Sequence, residues 1–590
     1  MDKLGNHSAD GRFELAKVAM GELEADLAIL SGNIVNVYTG EIINNQTVLI
    51  KGRRIAYVGP DSSRNTGSHT QTIDAAGKFL IPGLIDGHTH MDYLCSSREL
   101  TRQGIKSGTT SIITETAEIA FRLGFYGIQE YIKSTRGLPV KFWFTLPPMG
   151  TISPLAANSV LSPDEIKRLL ARPDFVGLGE IYWGAAITDE PRLLNIIRAV
   201  LKSGKKLEGH AAGATGNKLQ AYTCLGISSD HEPINPAETL ARLRLGLTTM
   251  IREGEVRQDL AGVAAIKDYP VDFHHLVLAT DGVGPSFLAD HGFMDYVVQK
   301  AINVGFPPVC AIQMATLNVA EHFNLQDQIG GIAPGRYADI VAVPSLSRIK
   351  PEMVVSNGQI VFSANEIRCQ LRQYHFPDSL YSTIQLPFEC KSANFEVAVN
   401  DISSSVRVRT LDQVTSILTR EAILELPVIN NRVQTDLDRD IVKIALIEYI
   451  RTGGKTFTGF IRGLGLKRGA VATSTCWDSA DLAVAGANEE DMALAVNRLR
   501  ELGGGTIVCD RGQILAEVSF PVCGIISTER TEILAAGLKS VQSAAAGLGC
   551  KSPDIRTTLS VLPTPAIPYL RICESGLFDV KSNRPVEMIL

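Results

Sequence analysis

The chain has 590 residues, 45% of them apolar and 20% charged, an ordinary globular composition that excludes wholesale disorder. Lys plus Arg number 57 against 63 for Asp plus Glu, a net charge of -6, which leaves no basis for a nucleic-acid or anionic-membrane surface. Ten scattered cysteines without a CxxC pair read as reduced thiols in a cytoplasmic protein, and no apolar run reaches the ~18 residues of a membrane helix.

At about 150 residues per domain, three or four domains are expected. The first segment is charged (Asp2, Lys3, Asp10, Arg12, Glu14, Lys17), which speaks against a signal peptide. Residues 26–80 then read as short strands split by turns: DLAILSGNIVNV, TVLIKGRRIAYVG and QTIDAAGKFLIPG. Strand-like runs recur through 81–325 at IPGLIDGHTH, TTSIITET, VKFWFTLP, FVGLGEIY, KLEGHA, GISSDHE, LTTMIREG and HLVLATDG. Helix-compatible stretches such as 191–205 and 237–246 separate them, so parallel βα units and a (β/α)8 barrel are predicted. A second strand cluster at 335–362 has the character of the first, as if the barrel were inserted into one small β-sandwich. The predicted division is 1–80 and 326–400 for the sandwich, 81–325 for the barrel, and 401–590 for a C-terminal α/β domain. GGG at 503–505 follows a helix-like run instead of opening one, so it reads as a helix C-cap and turn, not a phosphate loop.

His88 and His90 end the first barrel strand as HTH, and alternate strand residues project to one side, so both imidazoles can grip one ion. Alone the pair is a weak signal. Its place strengthens it, because barrel enzymes build their sites at the C-terminal ends of their strands. Later runs end in the same way, with Glu180 in GLGE, His210 in EGH, His231 in SSDH and Asp281 in ATD. Four histidines and two carboxylates on one rim are hard to explain as packing. Nitrogen and oxygen donors without thiolates suit Zn, Mn or Fe.

PGLIDGHTH, GHA, SSDHE, TDG and GGIAPGRYADIVAV together resemble the amidohydrolase superfamily. More closely, GLGE, AYTCLGISSDHE, LRLGLTTMIREG, IQMATLNVAEHF, NEEDMALAVNRLRELGGG and LSVLPTPAIPYLRI are similar to bacterial adenine deaminases, from about residue 25 to 580. The resemblance implies a binuclear divalent site, Mn2+ or Fe2+ with Zn2+ as a third option. His88 and His90 would hold one metal with Asp281, His210 and His231 the other, and Glu180 would bridge them, its two oxygens spanning cations ~3.5–4 Å apart. Asp281 would shuttle the proton. Glu253 and Glu118 match acidic family positions and would handle the ring nitrogen's proton, with salt bridging at the rim as the plainer reading. A small heterocyclic substrate and a homodimer are expected.

The chain also departs from that pattern. Asp92 replaces a Glu, and Glu115, Thr116, Ala117 and Glu118 stand where the family has D-P-H-E. TDD becomes Thr280, Asp281 and Gly282, and P-G-L-S-G becomes AAGATG. A-H-D-S-H-N becomes Cys476, Trp477, Asp478, Ser479, Ala480 and Asp481. The predicted function is hydrolytic deamination of a purine-type base, adenine by default. The alternatives are opening of a cyclic amide or imide at the same metals, and a catalytically inactive binding homologue, which the six ligands oppose. Among other residues, Trp183 is read as packing or as a stacking platform, Asp230 as orienting His231 or as a rim residue, and His274 with His275 as structural, at the far barrel end.

Overall fold

The computed structural model describes residues 9–60, 66–148, 150–159, 161–188, 190–399, 404–451 and 453–590. The N-terminal strands and the later cluster form one nine-stranded sheet, spliced where Ile340–Val343 runs antiparallel to Phe79–Pro82. Both arms feed a shared apolar cluster that includes Leu27, Ile50, Ile55, Leu80, Ile340 and Val355. A helix unanticipated from the sequence, Ala9–Met20, lays Leu15 and Val18 over Ala28, Leu49 and Ala56 on this sheet.

Eight parallel strands follow: Leu84–Thr89, Thr109–Thr114, Lys141–Leu146, Phe175–Tyr182, Lys206–His210, Ser229–Asp230, Thr248–Arg252 and Leu276–Ala279. The first five pair as one ladder and the last three as another. The helices between them carry local start and stop signals. Ser162 and Glu165 form a capping box ahead of Pro163–Leu170, and Gly204 ends Pro191–Ser203 at φ 72°, a left-handed position glycine adopts without steric cost. Side chains and loops close the barrel between its two ladders. Ser228 N–H donates to the Leu207 carbonyl at 2.8 Å, joining the fifth and sixth strands. Between the eighth and first strands, Thr280 donates its N–H at 3.0 Å and its hydroxyl at 2.5 Å to the Asp86 carboxylate, and Asp281 N–H donates to the His88 carbonyl at 2.9 Å. A Cβ at Gly87 would lie 2.4 Å from Val277 and 3.0 Å from the Leu278 carbonyl, so only glycine permits this approach.

Asp86 is fully buried, and burial lifts its carboxyl pKa to about 7 against the pull of the Thr280 hydrogen bonds. Asp86→Ala orphans the buried Thr280 N–H, at a cost of about 1–3 kcal/mol, and leaves the Thr280 hydroxyl only Thr89 Oγ1, at 2.9 Å, as acceptor. The expected result is a thermal midpoint lowered by several degrees, read by scanning fluorimetry; an unchanged midpoint would show that the ladders close without this carboxylate.

The C-terminal region adds a second nine-stranded sheet, antiparallel except where Ser405–Gln413 runs parallel to Thr456–Arg462. As expected, Gly503 is the left-handed C-cap of helix Glu489–Leu502. This region roofs the C-terminal mouth of the barrel. Arg122 donates to the Cys476 carbonyl at 2.8 Å, Tyr93 to the Thr475 carbonyl at 2.9 Å, and Leu94–Cys95 pairs in parallel with Ile526–Ser527.

Candidate metal centre

Five of the eight strand ends deliver one or two donors each to a single point at the barrel mouth. His88 Nε2 lies 3.0 Å, His90 Nε2 3.2 Å and His231 Nε2 3.2 Å from Glu180 Oε1, while His210 Nδ1 is 3.6 Å from Oε2. Asp281 Oδ1 approaches His88 and His90 at 3.6 and 3.7 Å. The donor atoms of His88, His90, Glu180 and Asp281 lie within 4.8 Å of one another, as do those of Glu180, His210 and His231. Glu180 belongs to both groups. All six residues assigned as ligands from the sequence are therefore brought together.

The electrostatics favour cations. Burial alone would depress the imidazoles, yet Glu180 lifts His90 to about 10, and Glu232 with Glu180 lifts His210 to about 9. Against its own burial, Glu180 is held well below the usual carboxylate range by His231 and His210. Glu180, Glu232 and Asp281 are ionised carboxylates, and one guanidinium, Arg252, lies 3.2 Å from Asp281 Oδ2 and pairs also with Glu232 and Asp259. The remaining charge is balanced by protons on imidazoles or by divalent ions taking their place. The donor set fits a cation pair sharing Glu180.

Glu118, at the start of helix Ala117–Thr135, lines the cavity above the cluster. Its carboxyl takes Arg122 Nη1 at 3.0 Å and the Asp478 N–H at 3.3 Å, and burial pushes its pKa to about 8 despite Arg122. Glu253 does not reach the site, which corrects the reading of it as a proton-handling residue. Adjacent strand residues face opposite ways, so Arg252 points at Asp281 while Glu253 turns outward, 3.4 Å from Lys300. The plainer reading, a salt bridge, holds for it, with Lys300 as the partner.

Glu115 lies behind His88, 3.7 Å from Nδ1, where a Cβ on Gly179 would collide with it. Asp92 is buried and accepts the Ile119 N–H at 2.9 Å. Asp230 is a buried pin rather than a rim residue, accepting from Ala211 N–H at 2.9 Å and Arg242 Nε at 2.8 Å. Trp183 donates to the Ala212 carbonyl outside the cavity lining. His274 sits beside Glu321 at the opposite barrel end. Sequence reasoning missed Glu232 and Arg252, although each adjoins a residue it singled out. The C-terminal region, expected as a domain covering the barrel mouth, lines the cavity with Trp477 and Asp478, both in the segment that departs from the family pattern, and with Thr564, which was given no role. That cavity encloses about 380 Å³ over the metal cluster.

Residues 79–361 match the amidohydrolase family and residues 416–584 the adenine deaminase C-terminal domain. The adenine deaminase of Moorella thermoacetica is 35% identical over 583 residues, 98% of each chain. Adenine deaminase 3 of Rhizobium meliloti is 36% identical over 585 residues, again 98% of each. The adenine deaminase of Cenarchaeum symbiosum is 33% identical over 98% of this chain and 94% of its own. Matched from end to end at such identity, with both family regions in order, the chain belongs to the adenine deaminase family of amidohydrolases.

Proposed function

We propose that the chain hydrolyses adenine to hypoxanthine and ammonia, with the barrel at 81–325, sandwich segments at 1–80 and 326–400, and a roof at 401–590. The observation that carries the reading is the convergence of four imidazoles and Asp281 on one buried carboxylate, beneath a cavity of heterocycle size. A divalent cation pair, Mn2+ or Fe2+ on this donor set, supplies Lewis acidity and acidifies water toward neutral pKa when bound. His88, His90 and Asp281 would hold one cation, His210 and His231 the other, and Glu180 both.

The chain's own residues do the rest. Asp281, kept ionised by His88 and Arg252, accepts a proton from the attacking water and returns it to the departing amine. Water adds to the amine-bearing carbon, the C–N bond breaks, and ammonia leaves with that proton. Glu118, largely protonated at neutral pH, donates to the ring nitrogen, which keeps that proton in the lactam, and Glu118 is reprotonated by the proton that the added oxygen sheds as the carbonyl forms. The roof excludes bulk water. The ten cysteines, all unpaired, support a cytoplasmic setting.

Ammonia release from a panel of aminopurines and cyclic amides, with metal-reconstituted protein, tests the reading. Adenine should be the best substrate; ring opening of an imide without ammonia release from any aminopurine would overturn it. Protein prepared with Mn or Fe should hold close to two metals per chain by elemental analysis. A folded sample that binds no more than one would sink the binuclear assignment.

A further inference from the structure

We propose that Asp478, carried by the C-terminal region, is a specificity-determining residue whose carboxylate accepts the N–H of an aminopurine's five-membered ring. The inference rests on the deamination reading, which sets the amine-bearing carbon against Glu180 and Asp281.

Asp478 is only 7% exposed, yet it lines the cavity. Its Oδ2 accepts two hydroxyls, from Tyr182 at 3.0 Å and from Thr564, while Oδ1 has no hydrogen bond among the described residues. Its backbone is fixed as well, in the left-handed region at φ 55°, with the N–H given to Glu118. Two donors spent on one oxygen aim the other and hold it still. A carboxylate oxygen held open to the cavity with no protein donor is an acceptor for a ligand N–H. Burial lifts this carboxyl to about 6, which still leaves it an acceptor at neutral pH.

Position selects the ligand atom. Tyr182, which holds Asp478, stands two residues beyond Glu180 on the same strand, and Asp478 itself takes no part in the metal cluster. Asp478 therefore meets the end of the ligand remote from the reacting carbon. An aminopurine carries two kinds of N–H, its amine and that of the five-membered ring, and only the latter lies at the remote end. Trp477, next in the chain, lines the same wall and offers an apolar face to a planar ring.

The test uses metal-loaded protein and two purine-shaped probes without an amine, so that neither can be deaminated: pyrrolopyrimidine, which keeps the ring N–H, and furopyrimidine, in which oxygen replaces it. Calorimetry on the wild type should show the pyrrolo compound binding at least about 10-fold tighter, the range of a hydrogen bond to a charged group. In Asp478→Asn the two hydroxyls claim the amide oxygen and leave NH2 facing the ligand, so the preference should fall below about threefold. Thr564→Val, which frees the carboxylate to turn, should reduce the preference partway and decides the matter if Asp478→Asn does not fold. Equal binding by the wild type, binding of neither probe, or a preference kept by both variants overturns the proposal. Ammonia release from adenine is measured on the same wild-type preparation; its absence beside an intact probe preference defeats the deamination reading alone.

Discussion

Asp281→Asn loses at least about 10³-fold in kcat while keeping more than half of its metal. Five donors remain in place, including Glu180 with its approaches to His88, His90 and His231 at 3.0 to 3.2 Å, so the cations keep most of their hold. The amide still touches a cation through its oxygen, and Asp281 N–H still anchors to the His88 carbonyl, so the loop keeps its shape. What Asn lacks is basicity. It cannot accept the proton of the attacking water or return it to the leaving nitrogen, help typically worth about 10²–10⁴-fold. Arg252 adds to the loss, because its guanidinium at 3.2 Å would then face a neutral group and lean further toward Glu232. Steady-state kinetics and metal analysis on one preparation check this. A variant retaining a tenth or more of wild-type kcat shows that Asp281 is not the shuttle, and Glu118 then becomes the group to examine.

Glu180→Ala loses metal and activity together. Four imidazole nitrogens point at this one carboxylate, and both donor groups of the site contain it. On the proposed binuclear site, removing it would leave two dications facing each other with only Asp281 and Glu232 to offset them, and Arg252 already engages both. Changes merely behind a metal ligand cost about 10–100-fold in affinity, so losing a shared ligand costs more. The expected outcome is fewer than one metal per chain after dialysis and a fall in turnover of at least about 10³-fold. Glu180→Gln, which keeps one oxygen donor, should retain more metal than the alanine variant. Near-normal metal content in Glu180→Ala would mean that another residue bridges.

The barrel and the cluster of possible metal donors at its mouth were legible because both follow local rules. Eight apolar runs alternating with helical stretches foretell parallel βα units, and residues closing those runs fall on one rim wherever the barrel closes. His88, His90, Glu180, His210, His231 and Asp281 therefore needed no tertiary information beyond the fold class. The helix at Ala9–Met20 was overlooked because its charged sequence carries only a thin apolar stripe, Leu15 and Val18. Glu253 shows the limit of reading position without facing: Arg252 and Glu253 both sit at a strand end, and only the strand's register settles which points inward.

The sequence by itself determined the floor of the site, since each residue of the donor cluster is tied to one of five strand ends by a few residues of local pattern. That the C-terminal domain covers the mouth was an expectation from the sequence, and only the tertiary structure decided which of its side chains form the roof. Trp477, Asp478 and Thr564 come from a region some hundreds of residues away, joined to the barrel by contacts such as Asp478 to Tyr182 and Arg122 to the Cys476 carbonyl. No periodicity encodes such pairings, because they depend on how two separately packed surfaces meet and not on the alternation of residues along either chain segment.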